Sequence, residues 1–151
     1  MTAVSVRVQA TPYDVAAEIA NLRQLPGVGA IVTFSGICRD EGGRLAALEL
    51  EHYPGMAEAE IERIAAEAAA RWPLAGITVI HRTGRIAVGD DIVLVVTGSS
   101  HREAAFAAAN FLMDYLKTRA PFWKKEHAAT GSGDWVASRE EDGKASDRWK
   151  A

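Results

Sequence analysis

The segment DIVLVVTGSS, residues 91–100, constrains the fold of this 151-residue chain more than any other. Its residues are apolar almost throughout instead of alternating, which is typical of a central strand covered on both faces. A long helix is predicted directly after it, over residues 101–119, with Ser99 or Ser100 as the expected N-cap. The chain is therefore expected to pack helices against a sheet in which this strand is central.

The other segments predict an α+β fold with a mostly antiparallel sheet and packed helices. Strands are predicted at residues 4–9, 27–39, 45–53 and 76–86, helices at 13–23 and 56–72, and an extended segment at 122–129. Gly36 is expected at a bulge or a close approach. The strands on either side of the Gly42–Gly43 turn are expected to pair like a hairpin.

Length and composition exclude several classes of protein. The chain suits one domain, assigned to residues 1–141 and followed by a polar C-terminal tail at 142–151. A net charge of -3 argues against a general nucleic-acid surface. The lone Cys38 excludes an internal disulfide framework. The sequence shows no signal-peptide pattern and no apolar run near the ~20 residues that span a membrane, so a soluble cytoplasmic protein is expected.

One face of the predicted helix at 101–119 carries an apolar stripe with a cation at each end: Arg102, Phe106, Ala109, Met113 and Lys117. The stripe is either a core-facing surface with snorkelling ends or the floor of a groove. At about 1.5 Å per residue, Arg102 and Lys117 lie about 22 Å apart, too far to hold one small ligand. Either they serve different sites, or a two-fold dimer brings one protomer's Arg102 beside its partner's Lys117.

The start of this helix is a candidate anion site. Free N–H groups and the helix dipole favour an anion there, and His101 and Arg102 add donors suited to phosphate or carboxylate. An ordinary helix start with exposed side chains gives the same sequence pattern.

A second candidate site is the cation cluster around the end of the helix. Lys117, Lys124 and Lys125 surround Phe122 and Trp123. Partial desolvation by these rings favours the neutral amine, which can act as a base or nucleophile. The alternative is a solvated basic loop, particularly for Lys125. The histidines and Cys38 show no metal-ligand spacing, so no metal or other cofactor is expected.

Several motifs together resemble the large, catalytic subunit of molybdopterin synthase. These are LEHYPGM, RWPL, VIHRTGRI, SSHR and above all FLMDYLKTRAPFWKKE, and the resemblance extends over about residues 3–141. It implies an α/β hammerhead-like fold and a homodimer within a heterotetramer. A small ubiquitin-like subunit is then expected at each far end, with sulfur carried as a thiocarboxylate on its C-terminal Gly-Gly.

The resemblance also implies a reaction. Two sulfurs are transferred to cyclic pyranopterin monophosphate (precursor Z), a small pterin, to give molybdopterin in molybdenum cofactor biosynthesis. Thiocarboxylate is itself a sulfur nucleophile, so no catalytic cysteine is required. The open alternative is a non-catalytic dimeric scaffold that binds a ubiquitin-like tail or an anionic metabolite.

Residue roles follow from the matching motifs. Lys117 and Lys124 correspond to the central active-site lysines, with Lys117 expected in acid/base work or as a transient covalent partner. The positions matched to the anionic groups of the substrate are Arg39, His101, Arg102 and Arg139, the last three from the other protomer. The segments 37–39 and 124–126 are expected to line the pocket, which adds Ile37, Cys38, Lys125 and Glu126.

One position departs from the family pattern. Cys38 stands where members of the family commonly have a basic or polar residue, whereas Arg39 beside it is retained. Cys38 is therefore expected to be an oxidation-prone position near the pocket.

Overall fold

The computed structural model describes residues 1–128, the backbone of residues 131–136, and Trp149. Its elements, in chain order, are β1 (Ala3–Gln9), α1 (Val15–Arg23), β2 (Ala30–Ile37), β3 (Leu45–His52), α2 (Met56–Arg71), β4 (Leu74–Arg82), β5 (Gly84–Ala87), β6 (Asp91–Ser99), α3 (Arg102–Thr118), β7 (Phe122–Ala128) and β8 (Gly131–Val136). None of the helices in these residues is both long and apolar enough to cross a membrane.

The first sheet has the strand order β1-β4-β6-β2 and carries the main core. Only β1 and β4 are parallel; the other neighbours in this sheet are antiparallel. As its apolar sequence predicted, β6 is central and almost wholly buried. Alternation along β4 sends Ile77 and Val79 into the core beneath α2 and α3, whereas Ile80 joins the smaller cluster beneath α1.

Helix α3 packs on this sheet through a stripe of small and aromatic residues. Phe111 is fully buried at its centre, and its ring lies 5.4 Å from that of Trp72 and 4.8 Å from that of Tyr115. Trp149 also packs here, with its ring 5.6 Å from Phe111 and its indole N–H donated to Asp114. At least this residue of the segment predicted as a polar tail therefore contacts the core.

The second sheet is entirely antiparallel, in the order β5-β3-β7-β8. The predicted hairpin between β2 and β3 is wrong, because β2 pairs with β6 while β3 pairs with β5 and β7. Gly42 and Gly43 adopt positive φ angles and carry the chain from one sheet to the other. Gly84, with a φ of 78°, divides the predicted strand at 76–86 between the two sheets in the same way.

Of two further local predictions, the one at Gly36 is confirmed and the one for the N-cap of α3 is wrong. Gly36 lies at a register shift in β2, and a Cβ there would stand 2.6 Å from Cγ1 of Val93, so the expected bulge and close approach are both confirmed. The expected serine N-cap is wrong, since the capping position of α3 is His101. Ser99 and Ser100 instead donate to the carbonyls of Pro73 and Gly27.

Candidate active site

A cleft of about 460 Å³ lies where the two sheets meet beside the end of α3. Its walls come from β2 and the segment after it, from β3 and β4, and from the segment that links α3 to β7. The charged and aromatic residues that line it are Phe34, Arg39, Glu41, His81, Lys117, Phe122 and Lys124. Three cations therefore open into one cleft, which suits an anionic ligand.

Two of these cations are Lys117 and Lys124, which the fold brings into one cleft by a short reversal of the chain. Lys117 is in the last turn of α3, the helix ends at Thr118, and β7 begins at Phe122 just after Pro121. Proline cannot continue the helix, so the chain turns back toward the cleft. The pairing of these two lysines follows from the position of that proline.

Neighbouring lysines on β7 lie on opposite faces of the second sheet. Lys124 pairs with Leu50, which is buried and lines the cleft. Lys125 pairs with Glu49 on the other face, because successive strand residues alternate. The structure thus brings Lys124 into the cleft of this chain and leaves Lys125 away from it.

This difference gives a direct test of the two lysines. In the reaction that the resemblance implies, Lys124→Ala is expected to lower the rate by about tenfold or more, whereas Lys125→Ala should have a much smaller effect. Initial rates of both variants at saturating partner, with folding checked by circular dichroism, give the measurement. Equal losses in the two variants would contradict the assignment by strand face.

The walls between these charges are apolar. Leu48 and Leu50 are buried in β3, and Ile92 and Leu116 complete this surface. Charge interactions across such a wall are less screened than in bulk water. Arg39 is the exception: its guanidinium lies 3.3 Å from Glu41 and remains largely exposed at the mouth of the cleft.

His81 is a cleft residue that the sequence patterns did not single out. Its ring stacks on Phe122, with 3.9 Å between centroids and 16° between planes, and its Nδ1 lies 2.9 Å from the carbonyl oxygen of Arg82. Burial lowers its pKa to about 4, and the charges of Lys117 and His52 act in the same direction. Strand residues two apart share a face, so the sequence could have placed His81 on the same face of β4 as Ile77 and Val79.

The other end of α3 is remote from this cleft. His101 and Arg102 are exposed and do not line it. Phe106 is 60% exposed on the same face, so a core-facing surface is the wrong interpretation for this part of the stripe. Of the five stripe residues only Ala109 is buried. Arg102, Phe106 and Lys117 are exposed, whereas Met113 is half-buried against the core. The face is therefore open mainly at its two cationic ends.

Cys38 lies behind the cleft wall. It is 1% exposed, and burial raises the pKa of its thiol. Both effects disfavour the exposed thiolate that oxidation requires. The structure therefore argues against the prediction that Cys38 is prone to oxidation.

Two further predicted site residues lie elsewhere. Glu126 lines an adjoining cavity of about 220 Å³ together with Glu41 and Arg44. Arg139 lies outside the described residues. Among the residues that are described, no group of three or more histidine, cysteine or acidic side chains could hold a metal ion.

Comparison with known proteins gives a consistent picture. The family model described as MoaE protein matches residues 8–119. A relative from Mesorhizobium japonicum named molybdopterin synthase catalytic subunit is 67% identical, over 99% of this chain and 95% of its own. One of the same name from Escherichia coli is 49% identical, over 99% and 100%. A solved MoaE structure from Burkholderia ambifaria superposes with a TM-score of 0.83 at 48% identity, covering 99% and 98%.

Proposed function

The chain belongs to the MoaE protein family, and on that premise we propose that it is the catalytic subunit of a molybdopterin synthase. The proposed reaction is a sulfurtransferase reaction in molybdenum cofactor biosynthesis. Two sulfurs pass from a thiocarboxylated partner to cyclic pyranopterin monophosphate. One observation carries the proposal: Lys117 and Lys124, on different elements, line the same cationic cleft.

The chemistry of the cleft fits this substrate. A pterin that bears a cyclic phosphate offers a flat apolar body and an anion, and the cleft combines apolar walls with Lys117, Lys124 and Arg39. The thiocarboxylate sulfur forms the new carbon–sulfur bond as a carbon–oxygen bond of the pterin side chain breaks, and the oxygen leaves as water or as the phosphate. Attack of water on the resulting thioester breaks its acyl–sulfur bond and returns a carboxylate to the partner, so each sulfur consumes one thiocarboxylate. The protein then has to orient the reactants and move protons, and Lys117 is the proposed acid/base group.

The sulfur donor is proposed to be a small ubiquitin-like subunit. The relatives are named as a subunit, which supports a larger assembly that includes a second kind of chain. Its C-terminal Gly-Gly tail is thin enough to enter an open cleft of about 460 Å³. A tail that ends in a negatively charged thiocarboxylate is also attracted to the two cleft lysines.

We further propose that a second copy of the chain completes the site. Arg102 and Lys117 lie at opposite ends of α3, about 22 Å apart, and only Lys117 lines the cleft. A two-fold axis across the exposed face of α3 would bring His101 and Arg102 of one protomer toward the Lys117 of the other. Exposed Phe106, about one turn from Arg102 on that face, is suited to such a contact.

Reconstitution tests the proposed function. The purified chain is mixed with thiocarboxylated small subunit and the cyclic pterin, and product is measured as its fluorescent oxidised derivative. Molybdopterin is expected only when all three components are present. Binding of both ligands without product would instead identify a non-catalytic scaffold and overturn the proposal.

Mixed dimers test whether protomers share a site. Lys117→Ala and Arg102→Ala homodimers are each expected to be nearly inactive. A randomly mixed sample should recover about a quarter of wild-type activity, because half of its dimers hold one intact site of two. Mixing Lys117→Ala with Lys124→Ala is the matched control, since those residues belong to one protomer and no site is restored. If the mixture of Lys117→Ala with Arg102→Ala stays inactive, the shared site is contradicted.

A further inference from the structure

His81 is the one ring of the cleft that can titrate but carries no charge near neutral pH. It lies on β4 opposite Val93 of β6 and lines both the main cleft and a smaller cavity of about 90 Å³. Lys117 lines the same two cavities. The imidazole and this ammonium group therefore share one small space.

The hydrogen bond of His81 determines which ring nitrogen holds the proton. Its Nδ1 lies 2.9 Å from the carbonyl oxygen of Arg82. A carbonyl oxygen only accepts, so Nδ1 must carry the hydrogen. In the neutral ring Nε2 is then left with a lone pair and can only accept.

The stack on Phe122 fixes the orientation of the imidazole. The two rings are nearly parallel at 3.9 Å, and Phe122 is the first residue of β7, two positions before Lys124. Rotation of the imidazole would break both this stack and the Arg82 hydrogen bond. The acceptor is thus held in a fixed direction in a cleft whose charged groups are three cations and Glu41.

Burial, together with the charged groups around His81, keeps it neutral. Lys117 faces it from α3, Lys124 lies on β7, and His52 lies on β3, while Arg39 and Glu41 reach the same cleft from the segment after β2. Burial is the largest effect that disfavours the imidazolium form, followed among the charges by Lys117 and His52. A further positive charge in this cleft would be costly, so His81 remains an acceptor throughout the neutral range.

We propose that His81 is a positioning residue, whose Nε2 accepts a hydrogen bond from the Lys117 ammonium and aims it at the reacting sulfur. The expected effect on the rate rests on the proposed function. The hydrogen bond between His81 and Lys117 does not. Such a bond also favours the protonated amine, which is the form required of a general acid.

Two substitutions separate the acceptor from the ring. His81→Phe keeps an aromatic ring against Phe122 but removes the acceptor, whereas His81→Gln keeps an acceptor and loses the stack. His81→Phe is expected to lower the rate of sulfur transfer by about tenfold to a hundredfold. The alkaline limb of its pH–rate profile should move to lower pH, because the Lys117 side chain has lost its acceptor. His81→Gln should regain part of the rate and most of the pH profile.

His127→Phe is the matched control, since that histidine pairs with Glu49 on the outer face of β7. Its rate and pH profile should match those of the wild type. A wild-type rate and profile in His81→Phe would overturn the inference. Equal impairment of the two His81 variants would do so as well, because the acceptor kept by His81→Gln would then restore nothing.

Nuclear magnetic resonance tests the contact without any turnover. The nitrogen shifts of His81 are expected to show a proton on Nδ1 at neutral pH, and the Nε2 shift should change in Lys117→Ala, where its donor is lost. An Nε2 shift that is the same in Lys117→Ala and in the wild type would overturn the inference even if the enzyme is active. Absence of product from the wild-type protein would instead count against the proposed function, and the Nε2 shift would still decide the hydrogen bond.

Discussion

Replacing Lys117 by alanine is expected to reduce molybdopterin formation by at least about a hundredfold. The side chain is in the last turn of α3 and opens into the cleft together with Lys124 and His81. Its loss removes the proposed proton donor from a site where the thiocarboxylate already supplies the nucleophile. Single-turnover rates with the thiocarboxylated partner give the measurement, since product release then plays no part.

Docking of the partner should survive this substitution. Lys117 is one of several cleft cations, so the affinity for the small subunit, measured by titration calorimetry, is expected to change far less than the rate. Arg63→Ala is a suitable control, because that cation is on the exposed side of α2, paired with Glu60 at 2.6 Å, and should leave the rate unchanged. A Lys117→Ala protein that turns over at the wild-type rate would remove the catalytic assignment.

Phe111→Ala is expected to lower the free energy of unfolding by about 3–5 kcal/mol. Phe111 is fully buried between α3 and the first sheet, in contact with the rings of Trp72, Tyr115 and Trp149. The cavity left by its ring cannot close without moving all three. The loss is a large part of the ~5–15 kcal/mol that stabilises a typical domain.

Urea unfolding followed by fluorescence measures this loss. Tyr53→Ala is the control, since Tyr53 is 62% exposed and contacts only the edge of Trp123 in the ring contacts described. Its free energy of unfolding should stay within about 1 kcal/mol of the wild type. Similar losses for the two variants would show that Phe111 does not have the central packing role described for it.

Local patterns predicted the elements well because their causes are local. The apolar run of β6 placed it at the centre of a sheet, and the helix predicted at 101–119 agrees with α3 to within one residue at each end. The extended segment predicted at 122–129 is strand β7. Each of these features depends on neighbours within a few residues.

Strand partners and cleft walls could not be predicted in the same way. The sequence on either side of Gly42 and Gly43 is compatible with a hairpin, yet the chain changes sheets there. Whether Lys124 or Lys125 faces the cleft depends on the register with β3, and the role of His81 depends on Phe122 of a distant strand. These are tertiary contacts, which the sequence motifs alone do not predict.

The pairing of β3 with β7 has a consequence for how the protein folds. The two strands are separated along the chain by both α2 and α3, yet Leu50 lies beside Lys124 and His52 beside Phe122. Contacts of such high sequence separation require closure of a long loop, which slows folding. We therefore expect the cleft to assemble late, after the first sheet and its helices, so that a newly made chain gains its site only when it is nearly fully folded.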